Sequence, residues 1–433
     1  MVLRPGGFPE YSPAEQLVFD EVRKIIETHY SQYGYAHIQT PSVEANTVLL
    51  AKNWEDAGKQ IFWLYGLAQG NEDTKDYSLH FDLTVPFARY VLDWENELTF
   101  PFKRYQVQAS RRGERSQRGR FKEFRQADMD VIRQDEKDQD KGKNLYYDAE
   151  LLFVVAKTLW AIVDRFLGKK AFTVRMNNRY LLSWFFSQFD EKVIPALYSL
   201  LDRYYKISFD DFVAQLKELV SDQDAGKIIS FVKMSFADLP SDLVDNDSYR
   251  RWYAELQEVM QHVQALNLDS KYSIVRDPCI IRWLDYYTGT VYEAYFDDDM
   301  GLGSISGWWR YENLTGYINP KKNNYSWVGG TIWLSRIVYL ILEKMKPENT
   351  TAIDYLFVHF AETTQETLAL LQTYVEQGKT VEYYPSAEKL GKQFTYADKK
   401  WIPNVVILGE WELKEKIYKV KNMKTGEEST AKL

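Results

Sequence analysis

Cysteine is nearly missing from this chain: Cys279 is the only one in 433 residues. A disulfide framework within the chain is excluded, and a reducing compartment is expected. Long apolar runs are absent too. No stretch of about 18 apolar residues occurs, and the N-terminus lacks an apolar core flanked by basic residues, so neither a membrane span nor a secretory signal is expected. A soluble, cytoplasmic protein with no membrane partner is the expectation. Net positive charge is also lacking, with 54 Lys and Arg against 62 Asp and Glu, a net charge of −8 and a pI near 5.4. That excludes a uniformly basic nucleic-acid binder but not a local basic patch on an acidic protein. The five histidines (His29, His37, His80, His262, His359) have no ligand spacing with each other or with Cys279, so no metal site built from side chains is assigned. Glycine is sparse at 22 of 433, about 5% against a usual ~7%, whereas tryptophan is abundant at 13.

The length allows several domains, since one usually takes about 100–200 residues. Apolar residues at helical spacing (Leu17, Val18, Val22, Ile25, Ile26, Tyr30) predict a helix over 13–34 that stops at Tyr33-Gly34. YAHIQTPSVE alternates like a strand turned by Pro41. Strand-like runs follow from Leu79 to Ile132, broken by a polar loop at 112–120, and a buried helix is expected over 146–166. Residues 170–265 carry helical patterns with acidic breaks and no catalytic-looking cluster, which reads as an insertion. Strand patterns resume from Tyr272 to about Thr331, with an apolar helix over 332–345 and a linker at 346–350. The remainder alternates βαβαβ and predicts a small α/β domain.

Two segments carry chemistry. FPFKRYQVQASRRGERSQRGRFKEFRQADMDVI, residues 100–132, puts Arg111, Arg112, Arg115, Arg118 and Arg120 in a loop between two strands. A basic loop alone is usually a solvated face, but clustered guanidinium forks also match phosphate oxygens. The strand after it places Gln126, Asp128 and Asp130 on one face, where buried polar groups need partners that a ligand can supply. The second segment, DPCIIRWLDYYTGTVYE at 277–293, sets Arg282, Asp285, Tyr286, Tyr287 and Thr288 between β-branched runs.

RWLDYYTGTVYE resembles the histidyl-tRNA synthetase signature RGLDYYTGTVFE, differing only at Trp283 and Tyr292. HFDLTVPFARY is similar to RYDLTVPFARY, residues 100–132 to motif 2 of class II aminoacyl-tRNA synthetases, and GSISGWWRYENLTGY to GSISGGGRYDNLTGY. SWVGGTIWLSRIVYLIL resembles motif 3, and KLGKQFTYADKKWIPNVVILGEWELK the family's anticodon-binding domain. The resemblance covers nearly the whole chain.

It implies an α+β fold: a class II synthetase six-stranded antiparallel sheet with helices, a helical insertion and a C-terminal α/β anticodon-binding domain. The implied domains are catalytic over 1–169 and 266–346, interrupted by the insertion at 170–265, with the anticodon-binding domain at 350–433. The implied activity is ATP- and Mg²⁺-dependent activation of histidine to its adenylate and transfer to the 3′ end of tRNA(His), by a homodimer joined around motif 1 (residues 33–48). Residue by residue, Arg112 would clamp the α-phosphate with Glu114 in support, and Arg336 would hold the γ-phosphate. Arg282 would act at the α-phosphate and the histidine carboxylate. Asp82, Thr84 and Gln126 would hold the ammonium, Asp130 and Tyr287 the imidazole, with Tyr286 beside them; Gln117 and Arg118 would face the acceptor end. His80 and Glu312 are mild departures from the family pattern.

The larger departures share one form. Trp283, Trp308, Trp309 and Trp333 stand where the family has glycine, and Trp54, Trp327 and Trp401 join them. Glycine lets backbone approach a ligand closely, and even a few extra methylenes in a packed site cost about 1–3 kcal/mol. The pocket is therefore expected to be filled. Three readings compete: a catalytically silent paralogue that serves as a regulatory or tRNA-binding protein, a pocket retuned to another ligand, or a gene in which UGA encodes glycine, so that these tryptophans stand for glycine. The last is preferred, because every catalytic polar residue is kept.

Overall fold

A computed structural model describes residues 4–51, 60–65, 76–134, 145–168, 170–234, 247–266, 273–280, 287–312, 314–347 and 351–433. The expectations for Trp54, Arg282, Trp283 and Tyr286 fall outside these residues, as does the side chain of Tyr287.

The helix expected near the N-terminus is α1, Pro13–Gln32, opened by a capping box in which Glu15 N–H donates to Ser12 Oγ and Ser12 N–H to Glu15 Oε2 (3.4 and 2.7 Å). Its buried stripe, Val18, Val22, Ile26 and Tyr30, follows the four-residue spacing of one helical face. Gly34 takes φ +77° just beyond it, a left-handed turn suited to glycine.

Two units make up the chain, Met1–Pro9 with Val22–Ile341, and Glu10–Glu21 with Leu342–Leu433. The first is built on an eight-stranded sheet. In chain order its strands are β1 (Ala36–His37), β5 (Phe102–Arg111), β6 (Glu123–Gln134), β7 (Phe172–Asn178), β8 (Ser273–Arg276), β9 (Tyr287–Phe296), β10 (Ser306–Glu312) and β11 (Tyr325–Ile332). A small separate sheet holds β2 (Val43–Ala45), β3 (Trp63–Leu64) and β4 (Tyr77–Leu79). The large sheet runs β1-β5-β6-β11-β10-β9-β7-β8. Its six middle strands are antiparallel throughout, as expected, and a parallel strand is added at each edge, β1 on β5 and β8 on β7.

Two segments differ from their sequence reading. Residues 172–178, grouped above with the helical insertion, form β7 inside the sheet; FTVRMNN is buried at six of its seven positions and pairs with β9. Residues 84–93, within a stretch of strand-like runs, form a helix, α3 (Thr84–Asp93), after a short α2 (Asn46–Leu49). Pro86 lies in the first turn of α3, where a missing N–H costs nothing.

Helix α4 (Tyr146–Phe166) packs behind β6, β10 and β11, while α3 lies over the opposite face. The segment between β7 and β8 is helical: α5 (Arg179–Phe186), α6 (Ile194–Asp202), α7 (Phe209–Leu219), α8 (Asp222–Lys233) and α9 (Asp247–Ala265). Ser208 and Ser221 cap α7 and α8 by accepting from the Asp211 and Asp224 amides at 3.1 and 3.2 Å. After β10 come α10 (Leu314–Ile318) and, beyond β11, α11 (Leu334–Lys344).

In the second unit, β12 (Tyr355–Phe357), β13 (Val381–Tyr383) and β14 (Asn404–Ile407) are parallel and alternate with α12 (Thr364–Glu376) and α13 (Leu390–Lys400). After α14 (Glu410–Lys414), an antiparallel hairpin, β15 (Ile417–Asn422) and β16 (Glu428–Lys432), extends the sheet to the order β13-β12-β14-β15-β16. Among the described residues no helix is long and apolar enough to cross a membrane.

Candidate active site

Strand alternation puts a row of polar residues on one face of the large sheet. Arg104, Gln106 and Gln108 of β5 lie directly opposite Asp130, Asp128 and Gln126 of β6, so all six share a face. The next strand answers Asp130 with Gly329 and Asp128 with Thr331. Beyond it, Trp309 faces Gly329 and Tyr311 faces Trp327.

This face is buried, and its charges are held by specific partners. Arg104 is wholly buried, with Nη2 2.6 Å from Asp130 Oδ2, Nη1 donating to Gln106 Oε1 at 3.1 Å, and the guanidinium 4.0 Å from the Phe87 ring of α3. Gln106 in turn donates to Thr40 Oγ1 at 3.0 Å. The other Asp130 oxygen accepts from the Tyr311 hydroxyl. A β-carbon at Gly329 would collide with that carboxylate, so the missing side chain at 329 is what makes room for it.

Asp82, just before α3, accepts from the Val85 amide at 3.2 Å. Burial pushes its carboxyl up to about 6, against the opposing pull of the Val85 amide, Arg112 and Arg104. Burial pushes Asp128 further, to about 7, with Asp130 and Asp82 adding repulsion and Arg104 countering it. Asp130 is also raised by burial, and Arg104 and the Tyr311 hydroxyl pull it back. Gln126 is buried, and its Oε1 has no hydrogen-bond partner among the described residues. Three buried carboxyl groups grouped about Arg104, with Arg112 also acting on Asp82, make a cup that favours a cationic guest.

The arginine loop borders this cup. Arg112 Nε donates to the Phe81 carbonyl at 3.1 Å, and its guanidinium lies 5.1 Å from the Phe124 ring. Arg336 of α11 donates to the Gly119 carbonyl at 3.2 Å and to the Ser304 carbonyl. Glu114 is half-buried beside Arg112 in sequence. Arg118, at the outer side of the loop, forms a two-pronged pair with Asp299 (2.9 Å each), and Gln117 bridges to Arg120. Asp82, Gln126 and Asp130 lie in the cup, Thr84 is buried beside Asp82 at the start of α3, and Arg112 and Arg336 border the loop.

Two residues of the cup, Arg104 and Tyr311, were not singled out from sequence. The signal for Arg104 was present, since Arg104, Gln106 and Gln108 alternate with period two on the strand paired to Gln126–Asp130. Tyr311 needed the β10–β11–β6 register, which no local pattern supplies.

Tryptophans crowd the same region. Trp333 lies 6.1 Å from Phe124, 6.0 Å from Arg112 and 5.7 Å from Arg336, measured ring to ring or ring to guanidinium. Trp308 is wholly buried on the opposite face, stacked on Tyr292 at 5.2 Å, and a β-carbon at Gly330 would strike its own β-carbon. Trp327 stacks on Tyr311 at 5.6 Å. The indole N–H groups of Trp308, Trp327 and Trp333 are buried with no hydrogen-bond partner among the described residues; buried indoles normally find one. Trp401 closes α13 in the left-handed region, φ 59° and ψ 32°, with Ile402 N–H donating to Ala397 O at 2.9 Å. Glycine is the usual residue at such a stop.

Comparison with known proteins agrees with this geometry. The family model "Histidyl-tRNA synthetase" matches residues 7–319, and "Anticodon binding domain" matches 351–433. The chain is 35% identical to a histidine–tRNA ligase of Clostridium tetani, over 99% of this chain and 95% of that one. It is 37% identical to one of Thermobifida fusca, over 99% and 97%. The crystal structure of histidyl-tRNA synthetase from Nostoc sp. PCC 7120 superposes with a TM-score of 0.86 at 30% identity, covering 99% of this chain and 96% of that one.

Proposed function

The chain belongs to the histidyl-tRNA synthetase family, and from that premise we propose how it joins histidine to tRNA, and in which form. Its reaction is that of a histidine–tRNA ligase. The observation that carries the substrate assignment is the buried row Gln126, Asp128 and Asp130, braced by Arg104 and Tyr311.

Asp82, Thr84 and Gln126 hold the ammonium of histidine, and Asp130 with Tyr287 takes the imidazole. A buried carboxylate is a strong selector, because a competitor without the ring leaves it unpaired. The histidine carboxylate attacks the α-phosphorus of ATP, and pyrophosphate leaves. Arg112 and Arg282 face the α-phosphate where charge develops, Glu114 supports Arg112, and Arg336 holds the γ-phosphate. Mg²⁺ would arrive on the triphosphate with mostly phosphate and water ligands. The ion would neutralise phosphate charge. A hydroxyl of the tRNA 3′-terminal ribose then displaces AMP, with Gln117 and Arg118 at the acceptor end and the 351–433 unit at the anticodon. Activity in the cytoplasm as a homodimer accords with the family.

The active chain carries glycine at 308, 309, 327, 333 and 401, and also at 54 and 283. Two independent costs support this, a left-handed Trp401 and three buried indole N–H groups without partners among the described residues, and Trp333 occupies the space between Phe124, Arg112 and Arg336. Each unpartnered buried N–H costs about 1–3 kcal/mol. A silent regulatory paralogue is the less favoured reading, since relaxed selection would have eroded Arg112, Gln126 and Arg336 together with the glycines. The gene decides the matter: UGA at codons 308, 333 and 401 is expected, and UGG there overturns the glycine form.

A further inference from the structure

Among the described residues, Arg104 is the cation of the cup that the catalytic scheme leaves without a role. It is wholly buried on the substrate face and is paired with the site's own residues. Its partners come from every side: Asp130 across the β5–β6 pair at 2.6 Å, Gln106 on its own strand at 3.1 Å, and the Phe87 ring of α3 at 4.0 Å. Asp128 and Asp82 face it at longer range, and the Tyr311 hydroxyl reaches the same Asp130 carboxylate from β10. Tyr311 and Arg104 therefore grip opposite oxygens of Asp130, while Gly329 leaves the space the carboxylate occupies.

We propose that Arg104 is the positioning residue of the histidine pocket: it fixes the direction of the Asp130 carboxylate and keeps it anionic for the substrate imidazole. The inference rests on the histidine-pocket reading above. Without Arg104, three carboxyl groups would share a buried cup with no cation beneath them, and one or more would take up a proton at neutral pH. A protonated Asp130 loses its charge attraction for the ring, so the cost falls on histidine and not on ATP. Lysine would keep the charge but not the fork that spans Gln106 and Asp130.

The test has two arms. In the first, histidine-dependent ATP–pyrophosphate exchange is measured from pH 6 to 9 on the chain with Trp54, Trp283, Trp308, Trp309, Trp327, Trp333 and Trp401 returned to glycine, and on its Arg104→Lys and Arg104→Met variants. The KM for histidine is expected to rise about tenfold or more in Arg104→Met with the KM for ATP little changed, and the acid limb of kcat/KM for histidine to move to higher pH. Arg104→Lys should restore the position of that limb but not the KM. A residue that merely stabilises the fold would lower kcat for both substrates and leave the profile in place. In the second arm, thermal stability is followed against pH on the unsubstituted chain and on Arg104→Met, with no need for activity. Extra proton binding by the folded variant makes its stability fall as pH rises, so the gap in Tm between the two should widen from pH 6 to 8. A constant gap overturns the role of Arg104. Silence of the glycine-restored parent in the first arm overturns the ligase scheme instead, so the two failures are distinct.

Discussion

Asp130 on β6 and Gly329 on β11 are direct cross-strand partners, and the Asp130 carboxylate fills the volume that a β-carbon at 329 would need. A glycine in the middle of a buried strand ordinarily weakens it. Here it lets a carboxylate lie flat on the sheet, gripped by Tyr311 and Arg104.

Gly329→Ala should therefore displace Asp130 from the site. In the glycine-restored enzyme the expected loss in kcat/KM for histidine is about 100-fold, or ~2.8 kcal/mol at ~1.4 kcal/mol per tenfold. The KM for ATP should change little. Equal losses for both substrates would mean that the whole sheet has shifted.

Trp401→Gly should stabilise the C-terminal unit. A left-handed non-glycine residue costs about 1–2 kcal/mol, and Trp401 is 52% exposed, so little burial is given up. A gain of about 1 kcal/mol should raise the Tm of a unit this size by about 4–8 °C. Calorimetry on the full chain, with Trp94→Gly as a control in the other unit, checks this; a lower Tm for Trp401→Gly contradicts it.

The raised carboxyls give a signed pH dependence. Asp82 and Asp128 titrate near 6 and 7 in the folded chain, against about 3.9 when unfolded. The folded state thus binds more protons over that interval, so their contribution is intact below about pH 4 and is lost as pH climbs through 6 and 7. Asp128→Asn should flatten the decline in Tm between pH 5 and 8. An unchanged slope would show that Asp128 is ionised throughout.

Arg118→Ala removes the exposed pair with Asp299, which is worth about 0–1 kcal/mol in stability. If Arg118 serves the acceptor end, the KM for tRNA should rise about five- to tenfold with pyrophosphate exchange unaffected. Loss of exchange would instead place Arg118 in the adenylation step.

How much of this was legible in the sequence depended on how local the signal was. The strands β5 and β6, helix α4 and the βαβαβ order of the second unit follow from period-two and helical spacing within single segments. Helix α3 was obscured because TVPFARYV is rich in β-branched and aromatic residues, which suit a strand as well as a buried helix. Strand β7 was placed with the helical insertion because an apolar run of seven cannot be told from a helical piece by periodicity. The hairpin β15–β16 was hidden because half-buried lysines, Lys419 and Lys421, interrupt the apolar run of β15. Asp82, Thr84, Gln126 and Asp130 were visible as candidates, but Arg104 and Tyr311 acquire meaning only from cross-strand register, which spans 181 residues between Asp130 and Tyr311.

The proposed reading puts a competent histidine site beneath tryptophans standing at glycine positions. Histidine-dependent ATP–pyrophosphate exchange reveals it, run on the chain as it stands and with Trp54, Trp283, Trp308, Trp309, Trp327, Trp333 and Trp401 returned to glycine. Exchange in the glycine form alone is the predicted result. Silence in both would contradict it and favour a binding or regulatory protein.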